Sequence, residues 1–151
     1  MADVFDKETR SKNMSRIRAK DTKPELLIRR ELHKRGYRYR LHRADLPGKP
    51  DMVLPKFRAV IEIRGCFWHG HNCHLFKWPK SRSEFWERKI NQNIVRDKAN
   101  TKKLEELGWR VLTVWECSIK GKTRLGSTQL IERIVDWIVA NKNSSSIEGE
   151  I

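Results

Sequence analysis

The sequence predicts an α/β domain, a mixed β-sheet flanked by helices, and three observations lead there. Its periodic segments change in kind along the chain, in the order helix, strands, long helix, strand, helix. Turn chemistry punctuates them at Gly36, Leu46–Pro50, Pro55 and Gly108, and no segment repeats another. The 151 residues are enough for one domain with a real core and too few for two comfortable ones.

Residues 1–20 form a basic arm, in which Lys7, Arg10, Lys12, Arg16 and Arg18 surround only Met14, Ile17 and Ala19 as apolar neighbours. That is too little to bury a helical face, so the arm is expected to order on its partner. Thr22-Lys-Pro-Glu25 has the form of a capping box with proline in the first turn. Leu26, Leu27, Ile28 and Leu32 then predict a helix over 23–35, stopped by Gly36. Alternation predicts a strand at 37–41, turn residues occupy 46–50, and strands follow at 51–54 and 57–63. A long helix over 83–107 carries Phe85, Ile90, Ile94, Leu104 and Leu107 near one stripe. Residues 109–115 read as a strand and 128–141 as a strongly amphipathic helix. The expected organisation is thus an arm over 1–20, a folded domain over 21–142 and a disordered serine-rich tail over 143–151.

Lys+Arg 33 against Asp+Glu 19 gives a formal net charge of +14, which points to a polyanionic partner. Nucleic acid leads, because the basic residues run through the chain with aromatics among them. A membrane surface comes second, and no apolar run approaches the roughly 20 residues of a span. Asp3, Asp6 and Glu8 near the start are unlike a signal peptide, so the expected compartment is the cytoplasm. Three cysteines there are poor material for disulfides, and their clustering with histidines argues for a metal.

Chemistry concentrates between Pro50 and His74. Asp51 opens one strand and Glu62 nearly closes the next, so a hairpin would bring both carboxylates to one rim of the sheet, with Arg64 just beyond. Two acids at such a rim suit Mg²⁺, which polarises a phosphate and activates water. The Arg64 guanidinium is too basic to accept a proton and would act as an electrostatic clamp. Cys66, His71 and Cys73 are three soft ligands within eight positions, and Cys117 follows the strand at 109–115. Should that strand neighbour 57–63, the four would close a tetrahedral structural zinc site. His74 is the alternative to His71, and His69 is open between ligand and catalytic group.

Pro50-Asp51 and Glu62-Ile63-Arg64 resemble the two halves of the PD-(D/E)xK nuclease motif. That likeness implies a restriction-endonuclease-like fold with Mg²⁺ held by Asp51, Glu62 and the Ile63 carbonyl. A longer set of motifs is similar to the very-short-patch repair (Vsr) mismatch endonucleases: Arg10-Ser-Lys-Asn-Met14, Leu46-Pro-Gly-Lys-Pro-Asp51, Gly65-Cys-Phe-Trp-His69, Phe85-Trp86, Leu107-Gly-Trp-Arg-Val111 and Val114-Trp-Glu-Cys117. The resemblance runs from the N-terminus to about Gly121. It implies a Mg²⁺-dependent endonuclease that nicks duplex DNA 5′ of the thymine in a T:G mismatch, the product of 5-methylcytosine deamination.

By the same resemblance Asp51 is the principal Mg²⁺ ligand, His69 the proton-transfer group, Glu25 an outer partner of the metal, and Asp97 an acid that could orient His69. Cys66, His71, Cys73 and Cys117 are the implied zinc ligands. Phe67, Trp68 and Trp86 are the implied aromatic wedge, with Met14 entering DNA from the other groove. The best-known members lack the acid at Glu62 and carry His at the position of Arg64, so the metal shell is expected to differ here. Other mismatch-repair proteins are possible partners, and an asymmetric lesion calls for a monomer. The competing readings are a restriction-type or junction-cleaving nuclease of the same fold and a non-catalytic, zinc-stabilised DNA-binding module.

Overall fold

The computed structural model describes residues 22–150, so the basic arm and Met14 lie outside the described residues. Helix α1 spans Lys23–Lys34, and the Thr22 hydroxyl accepts the Glu25 N–H at 3.4 Å as its cap. Strands β1 (Arg40–Leu41) and β2 (Met52–Leu54) form a hairpin. A single 3-10 turn at Pro55–Phe57, ended by Arg58 with φ 51°, leads into β3 (Ala59–Arg64). The long helix α2 (Ser83–Glu106), strand β4 (Arg110–Trp115), helix α3 (Ser127–Val139) and strand β5 (Ser145–Ile147) follow.

The sheet runs β1-β2-β3-β4-β5 and is mixed. β1, β2 and β3 pair antiparallel, and β3, β4 and β5 pair parallel, with α2 and α3 as the crossover connections. Both faces are covered, so β2 to β4 read as nearly continuous apolar runs. Met52, Leu54, Ile61, Leu112 and Val114 pack with Ile28 and Leu32 of α1 and with Leu130, Ile134 and Ile138 of α3. Val53, Val60 and Val111 pack on the other face with Leu104 of α2 and Trp109.

The tail expected to be disordered is corrected at 145–147, which form β5 along the edge of β4. Serines carry no apolar signal, yet tertiary partners hold the segment. The Ser144 hydroxyl accepts the Val111 N–H at 2.9 Å, the Trp137 indole donates to the Asn143 carbonyl at 2.9 Å, and Ile147 is buried. No helix among the described residues is long and apolar enough to cross a membrane.

Candidate active site

Two clusters meet at the C-terminal ends of β3 and β4, where the parallel register pairs Arg64 with Trp115 and sends both chains into loops together. The first is acidic. One ligand atom each from Glu25, His42 and Asp51 lies within 4.8 Å of the others. Asp51 Oδ2 accepts the Ile63 N–H at 2.6 Å, which ties the entrance of β2 to the end of β3. Glu25, 2 % exposed on α1, receives Arg29 from the next turn at 2.8 Å, so its carboxylate turns to the site and not to its own helix end.

His42 was not singled out by sequence reasoning. Its signal lies in the hairpin register, because Leu41 pairs with Met52 and the next residue must therefore stand beside Asp51. The His42 N–H reaches the Asp51 carbonyl at 3.3 Å, and its ring nitrogens lie 3.7 Å from Glu25 Oε2 and 3.8 Å from Asp51 Oδ1. Arg29 was missed as well, although its spacing of four from Glu25 is the ion-pair spacing of a helix. It donates to His42 Nε2 at 2.9 Å, which leaves the neutral ring's proton on Nδ1, toward Asp51.

Burial, with the like charges of Glu25 and Glu62 added, pushes the Asp51 carboxyl from its ordinary 3.8 up to about 7, although the Ile63 N–H and Arg29 act against this. Burial likewise raises Glu62, opposed by Arg64. Carboxylates crowded out of water in this way gain a favourable environment when a cation enters, and a group of hard oxygens suits Mg²⁺. Glu62 itself closes on Arg64 in an ion pair and stands outside the Glu25–His42–Asp51 group. It still senses both sides of the site, Asp51 on one and His69 with Asp97 on the other. His69 Nδ1 meets Asp97 Oδ2 at 2.6 Å, and because a carboxylate only accepts, the neutral ring carries its proton on Nδ1.

The second cluster is soft. Cys66, His71, Cys73 and Cys117 converge, with one ligand atom from each inside 4.8 Å, while His74 turns to Thr123 at 3.5 Å. Tetrahedral bonds of about 2.0–2.1 Å to nitrogen and about 2.3 Å to sulfur hold those atoms about 3.6 Å apart. His71 Nδ1 stands 3.5 Å from Cys66 Sγ and 3.6 Å from Cys117 Sγ, so these donor pairs have the spacing of a tetrahedral metal site. Burial raises the Cys66 and Cys117 thiols, and a cation among the sulfurs would reverse that.

Between the ligands Cys66 and His71 the chain carries Phe67, Trp68 and His69. Gly70 permits the turn, with φ 63° and so little room that a Cβ would come 2.6 Å from Ile94 Cδ1 of α2. Phe67, Trp68 and Trp86 meet edge to face with ring centroids 5.4–5.5 Å apart, and Trp68 is 37 % exposed. Asn93 of α2, also missed by sequence reasoning, donates to the Trp68 carbonyl at 2.8 Å and fixes the ring array from below. Lys77, Lys80, Arg82, Arg88 and Lys89 are exposed around it.

Comparison with known proteins gives the same reading. Residues 2–75 match the family model described as DNA mismatch endonuclease Vsr. The chain is 47 % identical over 150 residues to the DNA mismatch endonuclease Vsr of Escherichia coli (strain K12), covering 99 % of this chain and 96 % of that protein. It is 47 % identical over 119 residues to the type II nicking enzyme V.XorIIP of Xanthomonas oryzae pv. oryzae, covering 79 % and 88 % of the two chains. To the type II nicking enzyme V.NmeAIP of Neisseria meningitidis it is 44 % identical over 140 residues, covering 91 % of this chain and all of that one. Identity of this extent, over a sheet end that gathers acids, a His–Asp pair and a Cys/His centre, makes the chain a DNA endonuclease that belongs to the Vsr mismatch endonuclease family.

Proposed function

We propose that this chain is a Mg²⁺-dependent, strand-specific endonuclease that nicks duplex DNA 5′ of the thymine in a T:G mismatch, on the restriction-endonuclease-like fold of the PD-(D/E)xK nucleases. The observation that carries the reading is the juxtaposition, at one sheet end, of the Glu25–His42–Asp51 group, the His69–Asp97 pair and a three-ring array whose Trp68 is exposed.

Asp51 and the Ile63 carbonyl, with Glu62 turned from Arg64 toward them, would hold the Mg²⁺, with Glu25 and His42 on its outer side. When bound, the ion polarises the phosphate and lowers the pKa of an attacking water. Asp97 keeps the His69 proton on Nδ1, so that His69 Nε2 transfers a proton at the reacting oxygens. Arg64 offsets the charge of Glu62 and lends a fixed positive charge to the phosphate. The Cys66–His71–Cys73–Cys117 centre would hold one structural zinc, since soft donors at tetrahedral spacing select it.

Phe67, Trp68 and Trp86 form the wedge, and Met14 on the basic arm is its counterpart in the opposite groove. A wobble pair unstacks more easily than a matched one, and inserted rings recover part of that cost. The +14 charge supplies sequence-independent affinity for the backbone, which falls with salt. One lesion presents no two-fold axis, so the active species is a monomer.

The test is a nicking assay on one labelled duplex presented as T:G and as matched T:A in Mg²⁺. Nicking beside the mismatched thymine alone establishes the reading. Equal cutting of both duplexes, or of four-way junctions, replaces it with a broader nuclease, and tight binding without cleavage on T:G in several flanking contexts replaces it with a binding module. Trp68→Ala is expected to reduce the preference for T:G over T:A by about 10-fold, on the scale of one stacking ring. An equal loss on both duplexes, read as kcat/KM, counts against the wedge. Glu62→Gln is expected to raise the Mg²⁺ concentration for half-maximal nicking by about 10-fold, the scale of one lost carboxylate charge at a metal. An unchanged Mg²⁺ titration removes Glu62 from the metal.

A further inference from the structure

The segment after α3 does more than complete the sheet. We propose that Glu148 and Gly149 are positioning residues of the Cys/His centre, Glu148 fixing His71 as an Nδ1 ligand and the Gly149 N–H holding the Cys117 sulfur in place. The inference rests on reading that centre as a zinc site.

Three contacts determine the His71 ring. Its face stacks on Trp115 with centroids 4.2 Å apart and planes 13° from parallel. Its Nδ1 faces the sulfurs of Cys66 and Cys117, and its Nε2 lies 2.7 Å from Glu148 Oε2. A neutral imidazole has a single N–H. Donated from Nε2 to the carboxylate, it leaves the Nδ1 lone pair directed at the metal position, and the carboxylate makes that nitrogen a stronger donor.

Gly149 acts on the opposite ligand, its N–H reaching Cys117 Sγ at 3.2 Å. Three thiolates on one divalent cation leave an excess negative charge, which a backbone donor at sulfur spreads. Only glycine suits the position, because a Cβ there would collide with the Thr123 hydroxyl and the Cys117 carbonyl. The parallel register delivers both residues: Ile147 pairs with Val114, and 148 and 149 therefore run beside the turn that carries Cys117. Glu150 anchors the end, its N–H on the Thr123 carbonyl at 2.9 Å and its carboxylate on Arg133 at 2.7 Å. The loop between Cys66 and His71 bears Phe67 and Trp68 of the wedge together with His69, so the grip of the tail extends to the reacting end of the sheet.

The experiment is zinc release from the full chain into an excess of a chromogenic chelator, repeated as the absorption spectrum of the Co²⁺-substituted protein. Glu148→Ala is expected to release zinc about 10–100-fold faster and to alter the cobalt bands, the usual scale for losing a partner of a ligand histidine. Glu148→Gln, which keeps an oxygen acceptor for Nε2–H, is expected between the two. Glu150→Ala, which loses only an exposed ion pair, is expected to match the parent. Release and cobalt spectrum from Glu148→Ala equal to the parent's overturn the proposal, as does an equal acceleration in Glu150→Ala, which would trace the effect to loosening of the whole segment. A parent chain that binds no zinc at all overturns the underlying zinc reading instead, so the two failures are told apart.

Discussion

Asp51→Asn is expected to lower nicking of a T:G duplex by about 10³-fold, on the scale seen when a group stabilising developing charge is lost, and at the same time to stabilise the chain. The two effects share one cause. Asp51 is a carboxylate packed among Glu25, Glu62 and the end of β3, which suits a cation and penalises the empty fold. Its folded pKa of about 7 lies above the ordinary 3.8, so the folded state holds the proton more tightly than the unfolded one. Its favourable contribution is therefore complete below about pH 3.8 and is lost as pH rises through about 7. Each pKa unit is worth about 1.4 kcal/mol, so the penalty at pH 8 is on the order of a few kcal/mol.

Asparagine is neutral at every pH and still offers an oxygen to the Ile63 N–H. Without added divalent cation, the variant should melt several degrees above the parent at pH 8, at about 2–4 °C per kcal/mol for a chain of this size. The difference should shrink steadily toward pH 5. Duplex binding should persist, because the substitution removes no phosphate contact. A melting difference that is the same at pH 5 and pH 8 would show that Asp51 is not the strained group, and undiminished nicking would remove it from the metal.

What the sequence disclosed and what it hid follow one physical division. The convergence of the Cys66–His71–Cys73 run was legible because soft donors that share one centre stand at short spacing, and local sequence records short spacing. The meeting of Cys117 with that run needed only one inference about strand order, which the parallel β3–β4 register bears out. His42 and Asn93 were hidden, since their partners are chosen by hairpin register and by the packing of α2 under the loop. Strand β5 was hidden for a related reason. A serine-rich segment has no periodic apolar signal, and it is held through backbone pairing, Ile147 and the Arg110 guanidinium, which donates to the Lys142 carbonyl at 2.9 Å. The acidic pair shows the mixed case: Asp51 and Glu62 do share a sheet end, but Glu62 closes on Arg64 while Asp51 gathers Glu25 and His42.

Cys117→Ser is expected to give the opposite pattern to Asp51→Asn, losing stability and activity together. Serine removes the one donor of the proposed zinc centre that comes from outside the 66–73 loop, and with it the metal bond that would join that loop to the turn after β4. The ties that remain include hydrogen bonds and a ring stack: the Cys66 N–H on Glu116 Oε1 at 3.1 Å, the Asn93 amide on the Trp68 carbonyl at 2.8 Å, His69 on Asp97 at 2.6 Å, His71 on Glu148 at 2.7 Å, and the His71 ring on Trp115. Each hydrogen bond is worth about 1 kcal/mol, whereas a structural zinc contributes on the order of 10 kcal/mol in small domains. Metal content should drop from about one zinc per chain to a small fraction. The melting temperature should fall by on the order of 10 °C, given about 2–4 °C per kcal/mol and partial compensation by the three ligands left. Added Mg²⁺ should not restore nicking, because the defect lies in where His69 and the Phe67–Trp68 rings are held and not in the acid cluster. A full zinc complement with unchanged melting in Cys117→Ser would exclude that cysteine from the site. The predicted pairing of outcomes, a stable and inert Asp51 variant against an unstable and inert Cys117 variant, assigns the two clusters different work: one gives up stability to hold a reactive cation, and the other supplies the rigidity that lets the loop present its histidine and its rings.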